Sequence, residues 1–518
     1  MTAGNSNVYI QKVFVVASVH IFGRGTMRHV VNPQTLLGQV DISTITFDPR
    51  SRDEIPKLLR GLQYIYCTEE IREQVFEVLK EMVPAEINMR NGRPGMDLWK
   101  ILVMGTIRLN CNWDYDKLKE IVDNHLRIRQ MLGHPDFFDT YHYPIQTIED
   151  NVRLFTPEIL DKINDIVIEA GHKLLMKKKT EELKCRCDSF VVETDVHYPT
   201  DINLLFDAMR KIITLVARAS EEVGLFGWRQ SKHNLGKLKR LYRGAQQLKR
   251  SRAGTPERAQ EKERKIKNAH RIYADEAEWF VKQAKTTIGE LSRIGNMRMV
   301  VIVFEIENYI RHAERQIDQV RRRVLAGEKI PHEEKVFSIF EPHTEWISKG
   351  KAGVPQELGL KVCIVEDQYG FVLNHRVMRN SHDKEIAVPI ITETKQKYPM
   401  LTSCSFDKNF YSPDNRKRLS TILEMAVLPK KGKLSEAQLR EESQEEFVAA
   451  RKQHPAIESG IRALENHGLD RCLDYGLRGF ERYVSLAIVG RNVQVLGAIL
   501  WKQDELKHPR VKKKTAPA

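Results

Sequence analysis

The spacing of apolar residues changes several times along the chain, and each change marks an element. In IPKLLRGLQYIYCTEEIREQVFEVLKEMV, residues 55–83, Leu58, Leu59, Leu62 and Ile65, then Ile71, Val75, Phe76, Val78 and Leu79, recur at intervals near 3.6, which predicts amphipathic helix. The rhythm returns in MDLWKILVMGTIRLNCNW, after NMRNGRPGM, a turn written in Asn, Gly and Pro. DYDKLKEIVDNHLRIRQMLG, residues 114–133, predicts a further short helix with Gly133 as its stop. Up to about residue 160 the chain therefore reads as an N-terminal helical domain, suited to DNA-end binding or to docking.

Near residue 184 the period falls to two. CDSFVVETDVHY alternates and is rich in β-branched residues, predicting a strand over 184–198 that Pro199 ends. Helix resumes from Asp201 to about Glu222, with Asp201 as the expected cap, and then dominates roughly 228–326, with Gly254, Thr255 and Pro256 marking a hairpin. VFSIFEP, GLKVCIVEDQYG and FVLNHRVM return to strand, the last two as a hairpin around Asp367 to Gly370. MLTSCSFD adds a strand; NRKRLSTILEMAV and KLSEAQLREESQEEFVAARKQH are helical, and a last apolar helix carries Asn492, read as a core residue.

Strands interleaved with helices predict an α/β fold. The expected divisions are 1–160, helical; 175–225, the first part of an α/β core; 226–332, a basic helical insertion; 333–500, the rest of the core; and 501–518, a basic tail. Neither G-x-G-x-x-G nor G-x-x-x-x-G-K-[ST] occurs to suggest a nucleotide-binding α/β fold.

Charge sharpens this picture. The 518 residues exceed one domain's usual length of ~100–200, and 83 Lys and Arg stand against 69 Asp and Glu, a formal charge of +14. That sign favours a polyanionic partner. It is concentrated between Arg229 and Arg271, where fifteen Lys or Arg face three Glu. Lys237, Lys239, Arg240, Arg243, Lys249 and Arg250 form a row for contacts to a nucleic-acid backbone, although a charge run also describes a solvated helix face. Seven scattered cysteines, with only Cys185 and Cys187 close, fit reduced thiols better than a zinc site. The apolar stretch from Val13 to Ile21 is far shorter than the ~20 residues of a membrane span. A cytoplasmic, nucleoid-associated protein with no membrane partner is expected.

Three carboxylates carry the candidate chemistry. Asp188 lies within a strand, where a carboxylate is costly unless a cation balances it or the position faces solvent. Asp407 ends a strand, where α/β proteins place functional groups, though a capping role is equally ordinary. Glu458 follows Pro455 near a helix start, with Ile457, Ile461 and Leu464 able to hold that helix against a sheet.

The runs SRDEIPKLLRGLQYIY, GRPGMDLWKILVMGTIRLN, DSFVVETDVHYPTDINLL, FEPHTEWISKGKAG, SFDKNFYSPDN and HPAIESGIRALENHGLDRC together resemble bacterial insertion-sequence transposases of the DDE type, in the broad group related to the IS5 and ISNCY families. The resemblance spans about residues 27–500, and the most specific part is Tyr198, Pro199, Thr200 and Asp201 at fixed offsets after Asp188. Ser189 stands where that family commonly has Thr.

The resemblance implies an RNase H-like core with Asp188, Asp407 and Glu458 as catalytic, metal-ligating residues and two Mg²⁺ ions, or Mn²⁺, per site. It further implies double-stranded DNA, as transposon terminal repeats and target, for a partner, and a homodimer or higher assembly on that DNA. Lys408, Arg462, Arg471 and Arg478 are expected near the pocket as DNA contacts. Two alternatives stand beside the transposase: a catalytically silent DNA-binding protein derived from one, and an RNase H-like nuclease without strand transfer.

Overall fold

The computed structural model describes residues 26–48, 51–83, 93–175, 181–250, 254–348 and 356–507. It divides into two compact units, Met1–Asp195 with Ile347–Ala518, and Val196–Trp346.

The first unit opens with helices α1 (Ile55–Cys67), α2 (Glu69–Lys80), α3 (Leu98–Asn110), α4 (Tyr115–Asn124), α5 (Leu126–Met131), α6 (Ile145–Val152) and α7 (Pro157–Leu175). The apolar rhythm of 55–83 is shared between α1 and α2, because Thr68 takes an extended conformation between them. Gly133, at φ +76°, turns the chain after α5 as its sequence position suggests. Strand β1 (Leu183–Thr194) follows, shorter at its end than expected.

The second unit holds α8 (Asp201–Glu222), α9 (Ser231–Arg250), α10 (Pro256–Ser292) and α11 (Met297–Val320). Thr200, not Asp201, caps α8: its hydroxyl accepts from the Asn203 N–H, while Asp201 sits in the first turn and pairs with Arg323 at 3.0 Å. These helices close on a core of their own, including Leu205, Met209, Ile213, Tyr273, Phe280 and Ile306. VFSIFEP, expected as a strand, is a turn in this unit. The Ser338 hydroxyl takes the backbone N–H groups of Phe340 and Glu341 at 3.2 and 3.0 Å, and Ile339 is drawn into the helical core.

The chain re-enters the first unit through β2 (Gln356–Asp367) and β3 (Val372–Met378), then α12 (Asp383–Lys397), β4 (Leu401–Phe406), α13 (Pro413–Ile422) and β5 (Met425–Val427). Helices α14 (Glu436–Glu442), α15 (Glu445–Gln453) and α16 (Ala456–Leu464), the two-residue strand β6 (Arg471–Cys472) and the long α17 (Leu477–Lys507) complete it. The hairpin expected at Asp367 to Gly370 is present, Gly370 taking φ +89°. Met425, Ala426 and Val427, expected to finish a helix, instead pair in parallel with β4. The basic tail expected from 501 begins inside α17, and residues 508–518 lie outside the described residues.

The sheet is open and mixed, and its main strands run in the order β3-β2-β1-β4-β5. β3 and β2 are antiparallel, β2 and β1 antiparallel, and β1, β4 and β5 mutually parallel. The described residues are largely helical, and this small open sheet belongs to the first unit.

The N-terminal helices fall in the same compact unit as the sheet. Their apolar residues and those of the sheet form one continuous core, and α7 runs through the boundary expected at residue 160. Helix α17 is the axis of this unit, packed on α1, α3 and α7. Gly61 and Gly497 permit the closest crossing, since a Cβ on either would collide with the backbone carbonyl of Val493 or Lys57. Asn492 fixes its depth. Its amide oxygen accepts from the Val372 N–H at 3.0 Å, and its nitrogen donates to the Val372 carbonyl at 2.9 Å and to Asn164 at 2.7 Å. Among the described residues α17 alone is long and apolar enough to cross a bilayer, yet most of it is buried in this core.

A candidate acidic site at the end of the parallel strands

The register of β1 and β4 decides which residues meet. The two strands run in parallel with Arg186 beside Ser405 and Cys187 beside Phe406. The pairing ends there; continued by one residue it would set Asp188 opposite Asp407, which is still extended, at φ −69° and ψ 157°. Side chains alternate across a strand, so Arg186 and Asp188 share one face with Ser405 and Asp407.

Helix α16 lies over that same face. Gly460 lies so close to Glu366 that a Cβ there would collide with its carboxylate, and Glu366 is the cross-strand partner of Arg186. Just before α16, His454 shares a hydrogen bond of 3.0 Å with the Ser405 hydroxyl. Ile457, Gly460 and Leu464 form the buried side of the helix, which leaves Glu458 exposed in its first turn.

The electrostatics agree with this placement. The Asp188 carboxyl is pushed up to about 7, first by burial; Asp407, Asp383 and Glu458 add to the rise, and the Ser189 N–H, donating to it at 2.7 Å, opposes it. Glu366 is pushed up to about 7 by burial against the pull of Arg186, its ion-pair partner at 3.3 Å, and of Arg491. Burial holds the His454 imidazole below its ordinary range; Asp407 and Glu458 act to raise it, and Arg186 to lower it. Asp188 has no ion-pair partner among the described residues, while Asp383 is engaged by Lys361 at 3.1 Å and by the Ser189 hydroxyl at 2.6 Å.

Asp407 also performs the ordinary role its position allows, accepting the Asn409 N–H at 3.1 Å to cap a short 3₁₀ turn. Among the described residues no group of three or more His, Cys, Asp or Glu side chains is arranged to hold a metal ion. The donor chemistry nonetheless fits one: a buried carboxyl whose proton affinity is raised by neighbouring hard carboxylate oxygens is what a divalent cation relieves. The seven cysteines are free, and Cys185 and Cys187 are buried within the sheet.

The cationic candidates divide. Lys408 and Arg462 are exposed beside Asp407 and one turn beyond Glu458. Arg471 instead pairs with Glu193 at 3.4 Å and Asp195 at 3.6 Å, and Glu193 lies five residues, about 16 Å, along β1 from Asp188. Arg478 begins α17 and faces Glu158 and Glu481. Both were expected near the pocket; Arg471 is engaged by its two acidic neighbours. On α9, Lys237, Lys239, Arg240, Arg243, Lys249 and Arg250 are all exposed, with Lys237 paired to Glu276 at 2.7 Å.

Sequence reading missed Arg186, Glu366, Asp383 and His454. Arg186 alone carried a signal, standing two residues before Asp188 and so on the same face. The other three are set by long-range register. No family model matches the chain, and neither a curated protein nor a solved structure matches it.

Proposed function

We propose that this protein is a DNA transposase of the DDE type, with an RNase H-like core, that cleaves transposon ends and joins them to target DNA. The observation that carries the reading is the parallel register of β1 and β4, whose last pair, Cys187 and Phe406, is followed at once by Asp188, midway along β1, and by Asp407, just past β4, with Glu458 in the first turn of α16. The strand order β3-β2-β1-β4-β5, with only β2 antiparallel to its neighbours on both sides, supports the core assignment. The charge of +14 supports a polyanionic substrate.

Asp188, Asp407 and Glu458 would hold divalent cations, Mg²⁺ or Mn²⁺, which when bound supply an activated water and stabilise the leaving 3′ oxygen. The chain's own part is to place charge. The Asn409 and Ser189 N–H groups donate to the carboxylates of Asp407 and Asp188 and fix one oxygen of each. Lys408 and Arg462 stand where a phosphodiester would pass. Arg186, held by Glu366, keeps α16 seated on the sheet. The freed 3′ hydroxyl would then attack target DNA, so no covalent protein intermediate is needed. Two ends to be joined imply at least a dimer on DNA, acting in the cytoplasm at the nucleoid.

The test is Mg²⁺-dependent cleavage and joining of duplex DNA carrying the segments that flank the protein's own coding sequence. Activity lost in Asp188→Asn, Asp407→Asn and Glu458→Gln supports the reading; cleavage unchanged in all three overturns this site. A nuclease would give cut ends without strand-transfer joints. The lack of a ready metal-holding arrangement among the described residues favours a second reading, a silent DNA-binding derivative. That protein would bind the same duplex and leave it intact with either cation.

A further inference from the structure

The helical unit holds an open-mouthed cavity of about 660 Å³ whose described lining residues are all its own, among them the end of α9 and the start of α8. Its size falls within the ~300–1,000 Å³ of small-molecule sites. One part of the lining is aromatic. Tyr198, an exposed side chain, lies 5.6 Å from Trp346 between ring centroids, and Trp346 lies 5.7 Å from Phe337. Another part is cationic. Arg323 is neutralised by Asp201 at 3.0 Å, while Lys249, Arg250 and Lys335 have no ion-pair partner among the described residues.

A third feature points to a ligand. His270 lines the cavity and is wholly buried, and its Nδ1 lies 2.8 Å from the Ile266 carbonyl, which only accepts. Nδ1 therefore carries the proton. Nε2 is left as a buried acceptor with no partner among the described residues, an arrangement that costs free energy unless a donor arrives. Burial holds this imidazole below its ordinary range, consistent with the neutral ring.

We propose that this cavity binds a mononucleotide unit, a planar heteroaromatic ring carrying phosphate. The ring packs on the Tyr198, Trp346 and Phe337 surface, the phosphate meets Lys249, Arg250 and Lys335, and a ring N–H or amino group donates to His270 Nε2. Aromatic faces alone would suit any apolar ligand, and the cations alone any anion. Their presence in one cavity with a single buried acceptor selects a molecule that has all three features. The unit can come from a free nucleotide or from an unpaired residue of a DNA strand, and the assignment is independent of the acidic site.

The experiment titrates the full chain with adenosine monophosphate, adenosine, inorganic phosphate and a single-stranded oligodeoxyadenylate, reading tryptophan fluorescence and heat. Saturable 1:1 binding of the monophosphate, at least tenfold tighter than adenosine or phosphate, supports a free nucleotide. Binding of the oligonucleotide with none of the monophosphate supports the same chemistry supplied by a strand. In either case the double variant Lys249→Ala, Arg250→Ala and the single variant Trp346→Ala each weaken binding about tenfold. Phosphate binding as tightly as the nucleotide, affinity unmoved by the cavity variants, or no binding of any probe overturns the proposal.

Discussion

At the scale of single residues, Asp188 sets the pH behaviour. Its carboxyl, about 7 in the folded protein, lies above the ~3.9 of an unfolded Asp, so between those values the folded chain binds a proton that the unfolded chain has lost. Stability from this group therefore falls as pH rises from about 4 to about 7, and the full penalty stands above 7. Asp188→Asn is expected to raise the Tm at pH 8 and to lose most of that advantage at pH 5, as thermal unfolding at the two pH values would reveal. An equal gain at both would mean that the carboxylate is not under electrostatic load. Added Mn²⁺ should lift the wild-type Tm at pH 8 and leave the variant unmoved. Asp188, Asp407 and Glu458 could be singled out from sequence because their runs are distinctive. The groups packed around them could not, since Glu366 and His454 reach the site only through strand register and helix seating.

At the scale of elements, α16 depends on Gly460. Alanine there must push the helix off Glu366, an overpacking change that costs about 1–3 kcal/mol. Gly460→Ala is expected to lower the Tm and to cut DNA cleavage together, whereas Ser459→Ala, an exposed neighbour, should alter neither. Most helices and the main strands were legible because a half-buried element writes its period into the chain. α12 was not: Pro389 lies inside it and reads as a breaker. The VFSIFEP turn failed in the other direction, since its β-branched and aromatic residues serve a helical core rather than a sheet. The pairing of Met425 to Val427 with β4 was hidden behind the helical pattern of the preceding turn.

At the scale of the whole molecule, two cores imply two unfolding events. Phe280, 2% exposed in the core of the helical unit, is expected to cost about 3–5 kcal/mol when cut to alanine, and calorimetry should show one transition falling while the other stays. If the row on α9 meets DNA, Lys239→Ala, Arg240→Ala and Arg243→Ala together should weaken duplex binding and reduce the slope of log K against log salt by about 0.9 for each phosphate no longer neutralised. An unchanged slope would return those charges to a solvated face. The insertion between β1 and β2 also has a cost in time. Asp188 emerges from the ribosome roughly 175 residues before Ile364, its partner on the antiparallel neighbour, and at about 5–20 residues per second that is a wait of roughly 9–35 s. Throughout that interval the middle strand of the future sheet has no partner on either edge, so the nascent chain is most open to mispairing and chaperone capture just where its acidic chemistry will later be assembled.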